Sequence, residues 1–181
     1  MVRFYLIRHG ESESNLARIV QGSSIDPGLT ATGKTQAELT RKFFDQEGIK
    51  VDVFASSTMK RAMETAQIIR GQQPHPLYTY PGFVEVGFGD LEGRSYNEPE
   101  VRQHMVEIYR SWTEGCIDQP IANGDSIVGV AARSESDMKQ LLQDHPTAQA
   151  VVVVAHGQVL KVLITRLLDY PLKVGAAVYV V

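Results

Sequence analysis

A single cysteine, Cys116, stands in the 181 residues, so no disulfide can close within the chain, and a reducing compartment fits. Long apolar runs are missing too: no stretch approaches the length that crosses a bilayer. Residues 2–7 are apolar but run at once into Arg8 and His9, with no small-residue cleavage site, so they do not read as a signal peptide. The expected location is therefore cytoplasmic, with no membrane partner. Excess positive charge is absent as well. A net charge of −3 argues against a general nucleic-acid binder, which needs a basic surface. Nor is there a repeat, a low-complexity tract or an internal composition break. Hydrophobic residues make up 43% and charged ones 22%, ordinary shares that set disorder aside. One α/β-sized domain over residues 1–181 is expected.

What is present alternates between two periods. Residues 2–7, 51–55, 77–80 and 151–155 are short apolar runs rich in β-branched and aromatic side chains, which predict buried strands. A further strand is expected at 177–181. Between them lie helical patterns. One follows the N-cap Thr30 to about Gln46; one follows the candidate caps Ser56, Ser57 and Thr58 to about Arg70. Val101, Met105, Ile108 and Trp112 mark a third at helical spacing. A fourth begins near Ser126, with Val130, Met138, Leu141 and Leu142 inward, and a fifth runs from His156-Gly157 to about Leu168. Residues 8–29 and the glycine-rich 82–98 read as shaped loops, the first with room for a short helix. Strands alternating with helices predict an α/β fold, a mostly parallel sheet in a three-layer α/β/α sandwich.

In such sheets ligands bind beyond the carboxyl ends of the strands. Arg8 and His9 follow the first strand, His156 follows the 151–155 strand, and Arg61 opens the helix after 51–55. Two arginines and two histidines gathered at one sheet edge describe an anion site with a nucleophile. A neutral imidazole can attack phosphorus and split hydrolysis into two easier steps. Guanidinium forks match phosphoryl oxygens, and free N–H groups at helix N-termini add donors, with Gly10 and Gly157 permitting close approach. The departing alkoxide needs a proton, for which Glu85 in the glycine-rich loop is the candidate; Glu11, Asp90 and Glu92 are carboxylates nearby.

The motif Arg8-His9-Gly10-Glu11 with Asn15 resembles the signature of the histidine phosphatase superfamily, the phosphoglycerate-mutase-like family. Leu29-Thr30 with Gly33 and Gln36-Ala37, Ser56-Ser57 through Arg61-Ala62 and Thr65-Ala66, Glu85 with Phe88-Gly89 and Glu92-Gly93, and His156-Gly157 resemble its further blocks in order. The resemblance implies that His9 is phosphorylated, that Arg8, Arg61 and His156 clamp the phosphoryl group, and that Glu85 donates the proton. It places Asn15, Gln21 and Gly22 at the phosphate pocket or its mouth. It implies no metal and no cofactor. Leu91, Asp125 and Gln158 depart from the family's usual tryptophan, glutamate and glycine, and bear on specificity.

Several features carry plainer readings. Gly28 to Thr35 fits the phosphate-cradling pattern G-x-x-x-x-G-K-[ST], yet no buried strand precedes it; Thr30 is expected to cap a helix and Lys34 to be solvated. Asn15 can equally cap a short helix. His75, His104 and His145 show no partner pattern and are expected in solvated positions. Cys116 lacks the arginine that a cysteine phosphatase needs, since Ala122 holds that position. Tyr96, Tyr109 and Trp112 read as packing residues, in a region where specificity elements can lie.

Three functions fit: a phosphomonoesterase, a mutase that hands the phosphoryl group on, and a phosphate-binding module. Mutases of the family carry a longer basic insertion after the acid loop and a tail that closes the site. Here residues 94–155 are compact and the sequence stops soon after its last expected strand, which favours access by water. The nucleophile and acid that a binding module would lose are present. The expected partner is a small phosphomonoester, and the protein is expected to be a monomer or homodimer.

Overall fold

The computed structural model describes residues 1–177. Its strands are β1 (Arg3–Arg8), β2 (Val53–Ser57), β3 (Leu77–Tyr80) and β4 (Ala150–Ala155). Its helices are α1 (Glu13–Leu16), α2 (Ala31–Gln46), α3 (Lys60–Arg70), α4 (Pro99–Glu114), α5 (Ile127–Asp144) and α6 (Gly157–Leu167). The four strands form one sheet in the order β1-β4-β2-β3, every described pairing parallel.

The period of two in β4 explains the layering. Val151, Val153 and Ala155 pack with α4, α5 and α6, whereas Val152 and Val154 face α2 and α3 on the opposite side. All five are essentially sealed from solvent, and each valine contributes about 1.5–3 kcal/mol of apolar burial. Helices on both faces of a parallel sheet make the expected α/β/α sandwich.

Register then positions the site. Arg8 pairs with Ala155, so the next residues, His9 and His156, leave the sheet side by side. The backbone N–H of His9 still donates to the Ala155 carbonyl at 3.0 Å. β2 lies on the other side of β4 and delivers Ser57 and then α3 to the same edge.

Three expectations need correction. β2 begins and ends two residues later than predicted, because Ser56 and Ser57 are buried strand residues rather than helix caps. α3 has Met59 as N-cap with no side-chain bond; the carboxylate of Asp26 accepts from the Lys60 N–H instead, at 2.9 Å. Of the strand expected at 177–181, Ala177 closes a 3-10 turn (Leu172–Ala177), and residues 178–181 lie outside the described ones. The Thr30 reading holds: its hydroxyl accepts from the Gly33 N–H at 3.0 Å, and Lys34 is exposed. Loop 8–29 holds α1, closed by a capping box between Ser12 and Asn15.

Candidate active site

The carboxyl ends of β1, β2 and β4 bring His9, Arg61 and His156 together, with exposures of 7%, 1% and 0%. The two imidazole rings meet edge to face, centroids 5.1 Å apart. His9 Nδ1 lies 2.7 Å from the Gly10 carbonyl. A carbonyl only accepts, so this bond requires the proton on Nδ1 and leaves Nε2 with its lone pair. Arg61 Nε–H donates to that same Nε2 at 3.2 Å. Burial, then the charge of Arg61, pushes His9 down to about 3, so the ring is neutral at ordinary pH. His156 is lowered well below the usual histidine range, again by burial first and Arg61 second.

Arg61 is a fixed part of the floor. Its Nη1 donates to the Ile25 carbonyl at 2.9 Å and to Asp26 at 3.4 Å; its Nη2 donates to the Gly22 carbonyl at 3.0 Å. With the bond to His9, four of the five guanidinium N–H groups are engaged. Gly22 has φ +57, and a Cβ there would stand 1.9 Å from Glu92, so glycine is required to present that carbonyl.

Glu85 reaches the site from the acid loop. Its Oε1 accepts from the N–H groups of Val86 (2.9 Å) and Val159 (3.0 Å), its Oε2 from that of Gln158 (3.1 Å). Glu85 thus caps α6, and Asp26 caps α3. Of the backbone N–H groups expected at these helix N-termini, those of Lys60, Gln158 and Val159 are taken up by carboxylates of the chain itself. Close approach also fails as the reason for Gly10. A Cβ at Gly10 would lie 2.4 Å from the Gly33 carbonyl oxygen, so the glycine serves packing on α2. At Gly157 a Cβ would meet only ordinary contacts, at 3.9 Å from Arg8 and Glu85.

A cavity of about 220 Å³ opens over this floor, lined by Arg8, His9, Arg61 and Glu85 together with Asn15, Gln21, Gly22 and Gly157. All the residues singled out for the site except His156 line it; His156 lies sealed beside His9. Asn15 lines the cavity and also closes the α1 capping box, and Gln21 accepts from the Ser12 hydroxyl at 2.8 Å. Ile19, Phe88, Tyr96, Tyr109, Gln158 and Lys161 complete the wall, whereas Trp112 packs in the core behind Tyr109. His145 is not in the solvated position expected; it packs on Tyr78, centroids 4.5 Å apart, while His75 and His104 are exposed.

Four supporting residues have roles the sequence did not assign: Asp26 and Arg133 carried no reading, Ser57 read as a helix cap and Glu92 as a nearby carboxylate. Ser57 Oγ lies 2.9 Å from His156 Nε2. Asp26 braces Arg61. Glu92 accepts from the N–H groups of Ser23, Ser24 and Phe88, tying loop 21–25 to the acid loop. Arg133 donates to the carbonyls of Gly82, Val84 and Glu85 and to Asp125, fixing the acid loop's path. Among the described residues, no three His, Cys, Asp or Glu side chains gather as a metal-ligand set. No described helix is long and apolar enough to cross a membrane.

A family model described as the histidine phosphatase superfamily (branch 1) matches residues 4–178. The chain belongs to that superfamily. Its relatives in the superfamily include both phosphoglycerate mutases and phosphatases. A 2,3-bisphosphoglycerate-dependent phosphoglycerate mutase from Bartonella henselae is 38% identical over 171 residues, covering 90% of this chain and 79% of its own. An adenosylcobalamin/alpha-ribazole phosphatase from Escherichia coli is 30% identical over 170 residues, covering 94% and 81%. Among solved structures, a mycobacterial glucosyl-3-phosphoglycerate phosphatase in complex with VO3 superposes with a TM-score of 0.83 at 25% identity, covering 96% of this chain and 85% of its own.

Proposed function

We propose that this chain is a metal-independent phosphomonoester hydrolase that works through a phosphohistidine on His9. The observation that carries the reading is the bond from His9 Nδ1 to the Gly10 carbonyl, which leaves an unprotonated Nε2 beside a buried guanidinium. In the first step Nε2 attacks phosphorus and the P–O bond to the leaving group breaks. The departing oxygen takes its proton from Glu85. In the second step water attacks the phosphohistidine, Glu85 takes the water's proton, and phosphate leaves with His9 restored.

Arg8 and Arg61 stabilise the equatorial oxygens, Arg61 through the Nε–H that already faces His9 Nε2, where phosphorus arrives, while its Nη groups stay anchored. His156 contributes Nδ1, which has no protein partner among the described residues, as a donor; Ser57 donating to Nε2 keeps the proton on Nδ1. Asn15, Gln21, Gly22 and Gly157 shape the phosphate end of the cavity. The substrate is a small phosphorylated metabolite, the setting is cytoplasmic, as the lone cysteine suggests, and the protein works as a monomer or homodimer.

Release of phosphate from p-nitrophenyl phosphate in the presence of EDTA tests this directly. Retained turnover, with an acid-labile phosphoryl adduct that His9→Ala abolishes, is expected; a requirement for added metal overturns it. Glu85→Gln is expected to slow substrates with poor leaving groups far more than the nitrophenyl ester, and an equal loss on both removes Glu85 as the acid. The 38% identity to a mutase keeps one second reading, transfer to another hydroxyl. Supplying 3-phosphoglycerate with a trace of bisphosphoglycerate separates the two: free phosphate supports hydrolysis, rapid formation of 2-phosphoglycerate supports transfer.

A further inference from the structure

Lys161 lies one turn beyond Gly157 on α6, so both project from one face of the helix. It lines the cavity wall with Arg8, Glu85, Tyr109 and Gln158. No ion pair of the described residues includes Lys161, although burial opposes its charge and Glu85 sustains it. A part-buried ammonium held without a partner is costly unless a ligand brings one.

In-line displacement decides which end of the ligand Lys161 would meet. The leaving oxygen stands opposite the attacking His9 and next to the acid Glu85. Glu85 caps the first turn of α6 and Lys161 follows one turn later on that helix, lining the same cavity, so Lys161 stands on the leaving-group side, while Arg61 is committed to the floor. The neighbouring donor has the same character. Gln158 Nε2 donates to the Tyr109 oxygen at 3.0 Å, which leaves the phenolic O–H of Tyr109 free to donate in turn. A donor-rich wall above a cavity of about 220 Å³ fits a short anionic group better than a bulky neutral one, for which pockets of roughly 300 Å³ or more are usual.

We propose that Lys161, assisted by the Tyr109 hydroxyl, determines specificity by reading a second negative charge on the leaving group, so that short phosphorylated hydroxy acids are preferred over neutral phosphomonoesters of the same size. The assignment of the leaving-group side rests on the roles proposed for His9 and Glu85.

Two substrates that differ at one carbon provide the test: 3-phosphoglycerate and sn-glycerol 3-phosphate, the carboxylate of one replaced by CH₂OH in the other. The quantity read is the ratio of their kcat/KM values. The unaltered protein should favour the acid by about tenfold or more, the usual worth of one charge-assisted hydrogen bond. Lys161→Met should bring the ratio near unity, chiefly through KM for the acid, and Lys161→Arg should keep it. Lys161→Gln serves if the methionine variant does not fold. An unaltered protein that prefers the neutral ester, or a ratio that Lys161→Met leaves in place, overturns the proposal. If no substrate releases phosphate, p-nitrophenyl phosphate included, hydrolysis falls. The same ratio is then read from calorimetric Kd values of the two ligands, where equal affinities would still overturn the role of Lys161.

Discussion

The floor of the cavity and its outer wall are built on opposite plans. On the floor, His9, Arg61 and His156 are buried, and Arg61 is pinned by four hydrogen bonds to residues up to 52 positions away. On the wall, Lys161 pairs with no described acid, while Tyr96 and Tyr109 hang from a loop and from α4. The difference teaches a division of labour. Charge that develops on phosphorus is met by groups that need no rearrangement, which is where preorganisation has its largest effect. Recognition of the rest of the substrate is left to side chains that can adjust.

The sharpest way to break this division is at the nucleophile. His9→Ala is expected to lower kcat for p-nitrophenyl phosphate by about 10⁴-fold or more, as loss of a covalent catalyst does elsewhere; a loss of only a few-fold would move the chemistry off the floor. Asp26→Ala leaves every reacting group in place but frees Arg61 on one side and uncaps α3. A fall of about tenfold to a hundredfold in kcat is expected from such a misplacement, measured with the same ester. Gly10→Ala probes the packing beneath the floor. Its Cβ would press on the Gly33 carbonyl, at a cost of about 1–3 kcal/mol read from thermal or urea unfolding.

The floor should also carry its own signature in pH. Both buried histidines titrate below the usual 6.5 in the folded protein, His9 at about 3. Above that usual value neither folded nor unfolded chain binds these protons, and the histidines do not bias stability. As pH falls from there toward 3, the unfolded chain takes up protons that the fold refuses, so stability drops. The melting temperature is expected to fall between pH 7 and pH 4.5, and to fall less in His9→Asn. The smallest effect belongs to the wall: Gln158→Ala should change nitrophenyl phosphate turnover by less than about threefold, since it loses one neutral hydrogen bond away from phosphorus. A large effect there would erase the contrast.

The alternation of strands and helices was legible in the sequence because periods of two and 3.6 survive in single elements, and Thr30 and Ser126 announced their helices through local caps. Arg8, His9, Arg61 and Gly157 were legible for a similar reason, since each follows a strand directly or opens the next helix, whereas Asn15, Gln21 and Gly22 lie in a loop and were named only through the family resemblance. β2 was misjudged by two residues because Ser56 and Ser57 are polar and buried, a combination that apolar patterning cannot register. The supporting side chains escaped for a deeper reason. Ser57 meets His156 across 99 positions and Glu92 meets Ser23 across 69, distances that no local signal spans. Tyr109 and Gln158 looked like packing and a departure from pattern, and only the fold makes them neighbours.

One carboxylate has a reach beyond its size. Because Glu92 fastens the loop that carries the Ile25 and Gly22 carbonyls to the loop that carries Glu85, it sets the span between the grip on phosphorus and the source of the proton. Loosening that strap would desynchronise bond breaking from proton delivery without altering any reacting atom. Alcohols that leave reluctantly would feel the slack first.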